Sequence, residues 1–84
     1  MYRIEFLPET RKSLRMMPRD ARELILAKIG ALALAPFDAP NVRKLTGREG
    51  WRLRVGGWRV IYTVDGNRLT IVVLRIATRG KAYQ

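Results

Sequence analysis

The chain has 84 residues, with 17 Lys and Arg against 7 Asp and Glu, a net charge of +10, and neither cysteine nor histidine. That length supports one small domain, residues 1–84, and the missing residue types exclude disulfides, thiol nucleophiles, an imidazole base and the usual zinc ligands. No segment approaches the roughly 20 apolar residues that cross a bilayer, so the expectation is a cytoplasmic protein with no leader and no membrane contact.

Tyr2, Ile4 and Phe6 alternate with Arg3 and Glu5, the period of a half-buried strand that Pro8 closes. Residues 9–17, ETRKSLRMM, read as a short helix. Pro18 and Asp20 restart a helix at its favoured first turn. From there to Ala35 the apolar positions Ala21, Leu24, Ile25, Ile29, Leu32 and Ala33 follow helical spacing, with Arg19, Arg22, Glu23 and Lys28 outward. Pro36 ends this αα-hairpin. Residues 36–50, PFDAPNVRKLTGREG, carry two prolines and two glycines and read as a long surface connection. Three strands follow, at about 51–55, 58–64 and 69–76, joined by Gly56-Gly57 and by a turn within Asp65-Gly66-Asn67. Helices inserted between one strand and a meander predict an α+β domain: an N-terminal strand, an αα-hairpin, then an antiparallel three-stranded meander, with the helices packed on one face of a four-stranded sheet.

Gly56-Gly57 predicts a two-residue type I′ loop with positive φ at both glycines. Val55 then faces Trp58, Arg54 faces Arg59, and Leu53 faces Val60. Trp51, Leu53, Val55, Trp58, Val60 and Tyr62 form the side that meets the helices. Arg52, Arg54, Arg59, Ile61 and Thr63 point the other way. An even second turn adds Leu69, Ile71 and Val73 to the helix side and Thr70, Val72, Leu74 and Ile76 to the arginines. Arg75 falls on the helix side, where it snorkels at the sheet edge and is left out of the site. Like charges directly across a sheet destabilise it unless an anion lies over them, and a mixed cationic and apolar face is unusual for a surface left to water. The charge is also uneven, because residues 43–84 hold 10 basic and 2 acidic side chains where residues 1–42 hold 7 and 5. A polyanionic partner for the second half follows.

The order of elements, the entry LPETRKSL, and above all KLTGREGWRLRVGGWRVIYTVDGNRLTIVVLRIATRGKAY resemble the RelE/ParE superfamily of toxins from type II toxin–antitoxin systems, over nearly the whole chain. The resemblance implies a choice between two activities. RelE-like members are ribosome-dependent endoribonucleases that cut messenger RNA in the ribosomal A site, and ParE-like members act on DNA gyrase and usually lack the catalytic basic cluster. Arg52 and Arg54 match the two basic positions on the RelE second strand, where lysine is common. Arg59 after Trp58 matches the arginine of the third strand, Arg79 the arginine after the last strand, and Tyr83 the tyrosine beyond it. These five are the implied catalytic residues of a metal-independent nuclease with no cofactor.

In that chemistry the ribose 2′-hydroxyl attacks the adjacent phosphorus, and arginines stabilise the charge that grows on the phosphoryl oxygens. A cationic neighbourhood favours phenolate, which makes Tyr83 the candidate base, on a terminus expected to fray. Lys44, Arg48, Trp58 and Lys81 are candidate RNA contacts. Each has a plainer alternative. Trp51 reads as core, Trp58 as either core or stacking platform, Arg79 as site or charged tail, Tyr83 as base or packing residue, and Arg59 as a possible structural partner of Asp65 or Glu49. The resemblance also implies a cognate antitoxin, acidic and partly disordered when free, for which Ile61, Val72, Leu74 and Ile76 beside the arginines are the candidate contacts. Operator DNA would be reached only through that antitoxin. The alternatives to a nuclease are a gyrase inhibitor of the same fold and a non-catalytic basic module that binds RNA or protein.

Overall fold

The computed structural model describes residues 1–78. Its elements are β1 (Arg3–Phe6), α1 (Pro8–Met16), α2 (Arg19–Leu32), β2 (Val42–Lys44), β3 (Trp51–Val55), β4 (Trp58–Asp65) and β5 (Thr70–Thr78). The strands form one sheet in the order β1-β5-β4-β3-β2, with β1 parallel to β5 and every other neighbour antiparallel. The α+β class and the helix hairpin are as the sequence predicts, and the sheet has five strands where four were expected.

Local chemistry explains the helix boundaries. Pro8 starts α1, where its missing N–H costs nothing, and Glu9 complements the dipole in the first turn. α2 follows Pro18 with Asp20 in its first turn. It stops at Leu32, short of the expected Ala35, as the chain tightens through i→i+3 bonds from Ala33 N–H to Gly30 O and from Leu34 N–H to Ala31 O. Ile25, Ile29 and Leu32, spaced on one face of α2, pack with Leu14 and Met17 against Leu53, Val55, Val60, Tyr62, Ile71, Val73 and Ile76 of the sheet. Each fully buried aliphatic side chain contributes about 1.5–3 kcal/mol. Tyr62 is wholly buried, and its hydroxyl donates to Pro36 O at 2.6 Å. Burial pushes this phenol's pKa well above the ordinary tyrosine value.

The fifth strand lies inside the stretch that reads as a surface connection. Asn41 takes φ +67°, and Val42, Arg43 and Lys44 then pair with Leu53, Arg52 and Trp51. A bond from Leu45 N–H to Gly50 O closes the loop. Gly50 sits at φ +125°, and a Cβ there would lie 3.1 Å from Tyr62 O. Three paired residues are too few to leave a visible period-2 signal.

The first hairpin has the predicted register, with Val55 opposite Trp58, Arg54 opposite Arg59 and Leu53 opposite Val60. Of its two glycines only Gly56 takes positive φ, at 58°, so the turn does not meet the type I′ requirement at Gly57. The second hairpin departs further. Asp65 pairs with Thr70 across a loop of residues 66–69. Asp65 Oδ1 accepts the N–H groups of Asn67 and Arg68 there, and Leu69, expected on the helix side, is exposed in the loop at φ +49°. Beyond it Tyr62 pairs with Val73 and Ile61 with Arg75, so Leu74 is an extra residue in a β-bulge. The bulge reverses the parity of the rest of β5.

Candidate functional site

The sheet face away from the helices carries more arginine than the sequence predicts. Side chains of directly paired residues share a face, and two rows result. In one, Arg43 of β2, Arg52 of β3, Ile61 of β4 and Arg75 of β5 lie side by side. In the other, Arg54 is followed by Arg59 and Ala77. Arg52, Arg54 and Arg59 are therefore brought together as expected, and Arg43 and Arg75 are additions. Arg43 was hidden with β2. Arg75 was assigned to the helix side, and the bulge carries it across. The available signal was the change in spacing from Ile71 and Val73 to Ile76, two apolar positions at one parity followed by a third at the other.

The cationic groups are unequally exposed. Arg54 is open to solvent, Arg52 is half-buried, and Arg59 retains only 7% of its surface. Arg59 Nη1 donates to Trp58 O at 3.3 Å. Arg52 Nε is buried with no hydrogen-bond partner. Among the described residues the one ion pair is Arg19 with Glu23, far along the other layer, so neither Arg52 nor Arg54 is neutralised by a carboxylate there. Asp65, considered as a partner for Arg59, uses Oδ1 to organise its own turn. A depression of about 380 Å³ is lined by Asn41, Val42, Arg43, Arg52 and Arg54. A second, of about 340 Å³, includes Arg43, Thr46, Arg48 and Arg52.

Other expectations are revised. Trp58 lies opposite Val55, packed against the core on the helix side, which removes it from the arginine face as a stacking platform. Lys44 pairs with Trp51 and so takes the helix-side parity at the sheet edge, and both it and Arg48 line the second depression. Trp51 is core-packed as predicted, with its ring 5.1 Å from that of Phe37. The apolar row proposed for an antitoxin is shortened. Ile76 is turned into the core by the bulge, and Ile61 is 1% exposed between its arginine neighbours, so Val72 and Leu74 remain as half-buried members. Arg79, Lys81 and Tyr83 lie outside the described residues.

Such a face can bind an anion and stabilise growing negative charge. Its arginines are not proton acceptors, since guanidinium does not release its proton near neutrality, and Tyr62 is buried on the far side with its pKa raised. No cluster of three or more carboxylates that could hold a metal occurs among the described residues.

The sequence matches, over residues 4–83, the family described as ParE toxin of type II toxin-antitoxin system, parDE. No curated protein sequence matches significantly. Among solved structures, the archaeal RelE–RelB complex of Pyrococcus horikoshii OT3 is 29% identical with a TM-score of 0.83, covering 96% of this chain and 98% of that one. The isolated E. coli RelE toxin has the same TM-score of 0.83 at 20% identity, covering 98% of this chain and 88% of that one. The toxin of the intact E. coli RelBE toxin–antitoxin complex gives 0.81 at 23% identity, covering 96% and 100%.

Proposed function

The chain belongs to the ParE toxin family of type II toxin–antitoxin systems, within the RelE/ParE superfamily, and from that premise we propose that it is a RelE-like endoribonuclease that cuts messenger RNA on the ribosome. The observation that carries this reading is the convergence of Arg52, Arg54 and Arg59 on one sheet face, with Arg52 Nε buried and unsatisfied. A phosphate seated there would accept from Arg52 and Arg54 and sit over the buried charge of Arg59. As the 2′-hydroxyl attacks, charge accumulates on the equatorial oxygens, and the fixed guanidiniums meet it without reorganising. Arg79 and Tyr83 enter by resemblance alone, Tyr83 as the base that takes the hydroxyl proton.

The same family membership supplies the partner. The RelE chains of P. horikoshii and E. coli were crystallised with RelB antitoxins, and an acidic antitoxin segment is proposed here. Its carboxylates would take the phosphate's place over Arg52 and Arg54, with Val72 and Leu74 beside them. Any contact with operator DNA would run through that antitoxin.

One observation favours a second reading: the matching family description is that of ParE, whose resemblance-implied target is gyrase. The two are separated by inducing the chain alone, mapping messenger RNA 5′ ends and measuring plasmid supercoiling. The nuclease reading expects cuts within translated frames and a loss of about 100-fold in cleavage for Arg54→Ala, the scale of removing one preorganised donor. Altered supercoiling with intact messages would overturn it.

A further inference from the structure

We propose that the β2 side of the arginine face holds a second phosphate site, centred on Arg43 and Arg48, for a phosphate one to three nucleotides from the bond that is cut. The proposal rests on the RNA reading above, but it concerns binding and not cleavage.

Several observations converge on it. Arg43 and Arg52 are directly paired across two strands, a like-charge arrangement that destabilises the sheet. It is the second such pair, after Arg54 and Arg59. An anion over Arg54 leaves the Arg43–Arg52 repulsion unrelieved, and β2 carries that repulsion while Val42, opposite Leu53, packs against the core. Both depressions on this side share Arg43 and Arg52, and the second adds Arg48 and Thr46. Arg52, which lines both, has its Nε buried without an acceptor, and a buried guanidinium nitrogen left unsatisfied is costly. Arg43 and Arg48 are exposed, and the structure pairs neither with a carboxylate among the described residues.

Geometry sets the reach. Neighbouring strands are about 4.8 Å apart, so β2 lies about 10 Å from β4 and Arg59. Stacked single strands advance about 3.4 Å per nucleotide along their axis, and extended ones advance further. A strand running across the sheet from Arg59 toward β2 therefore brings another phosphate over Arg43. The chemistry favours a phosphodiester chain over an amphipathic protein segment, because Arg43, Lys44, Arg48 and Arg52 line the second depression against the single apolar side chain of Leu45.

The test uses the full chain and a fluorescent single-stranded RNA with every ribose 2′-O-methylated, which blocks the attacking hydroxyl. Its dissociation constant is measured from 50 to 200 mM salt. Each lost phosphate contact on a single strand lowers the slope of log K against log salt by about 0.7. Arg43→Gln and Arg48→Gln are each expected to show that drop, a change of about 2.6-fold in the salt sensitivity over this range. Arg15→Gln, on α1, is expected to keep the wild-type slope. The proposal is overturned if the Arg43 and Arg48 variants keep it, if Arg15→Gln lowers it equally, or if the wild-type chain does not bind. If the slopes are unchanged while the same variants lose affinity for a poly-glutamate peptide, the site takes carboxylates instead. Failure of the nuclease reading appears separately, as uncut translated messages, whatever the slopes.

Discussion

Replacing Arg54 by glutamine should make the isolated protein more stable. Arg54 and Arg59 are directly opposed on β3 and β4, and the Arg54 N–H is turned toward β2, where it donates to Asn41 O. Theirs is therefore a non-hydrogen-bonded antiparallel pair, the kind with Cα atoms only about 4.5 Å apart and side chains closer. Two charges about 7 Å apart repel by about 0.6 kcal/mol in water, and by more here because Arg59 is nearly buried. Measured cross-strand pairs span about 0.2–1 kcal/mol, so a gain of about 0.5–1 kcal/mol is expected. For a domain of this size that raises Tm by roughly 3–6 °C. Urea and thermal unfolding in 20 mM and 1 M salt check the origin. The Debye length shrinks to about 3 Å at 1 M, so the gain should largely vanish. Arg68→Gln, an exposed cation in the β4–β5 loop, controls for the general relief of positive charge and should gain less. A loss of stability in Arg54→Gln at low salt, or an equal gain at 1 M, would refute the electrostatic reasoning and make Arg54 structural.

Three further outcomes are expected. Ile76→Ala should destabilise by about 2–5 kcal/mol in urea unfolding, as for a buried aliphatic residue, while Leu74→Ala costs clearly less; the reverse order would deny the bulge. Tyr62→Phe should cost about 1–3 kcal/mol by leaving Pro36 O without its donor. It should also remove an alkaline dependence: above about pH 10 the unfolded chain releases the Tyr62 proton and the native one keeps it, so wild-type stability falls by up to about 1.4 kcal/mol per pH unit and the variant's does not. Gly50→Ala should destabilise by more than 1 kcal/mol in thermal unfolding, because alanine at φ +125° is strained and its methyl meets Tyr62 O; an unchanged Tm would count against this loop geometry.

Much of the molecule is readable where period and punctuation agree. The alternation at Tyr2 to Phe6, the prolines at 8, 18 and 36, and the glycine pair at 56 and 57 mark elements whose local signals match their environment, and they place Arg52, Arg54 and Arg59 together. The omissions have physical causes. β2 owes its existence to partners on β3 and not to its own three residues, so Arg43 could not be placed from local pattern. Parity can be followed only while the ladder is regular, and one unpaired residue beyond Ile71 and Val73 misassigned both Arg75 and Ile76. Trp58 illustrates the opposite limit: its face was predicted correctly, and its chemistry as a base-stacking group was then drawn against that placement.

The bulge at Leu74 gives β5 something like a reading frame. Before it, Ile71 and Val73 point inward at odd positions; after it, Ile76 does so at an even one, and the charge of Arg75 is displayed on the outer face. What separates core from cation on this strand is thus that Leu74 stays out of the ladder. Drawing Leu74 into the ladder would be a frameshift expressed in three dimensions, sending a guanidinium inward and an isoleucine outward together, whereas deleting it would leave both on the faces they now hold. It is by setting Leu74 aside that the strand delivers a fifth arginine to the outer face.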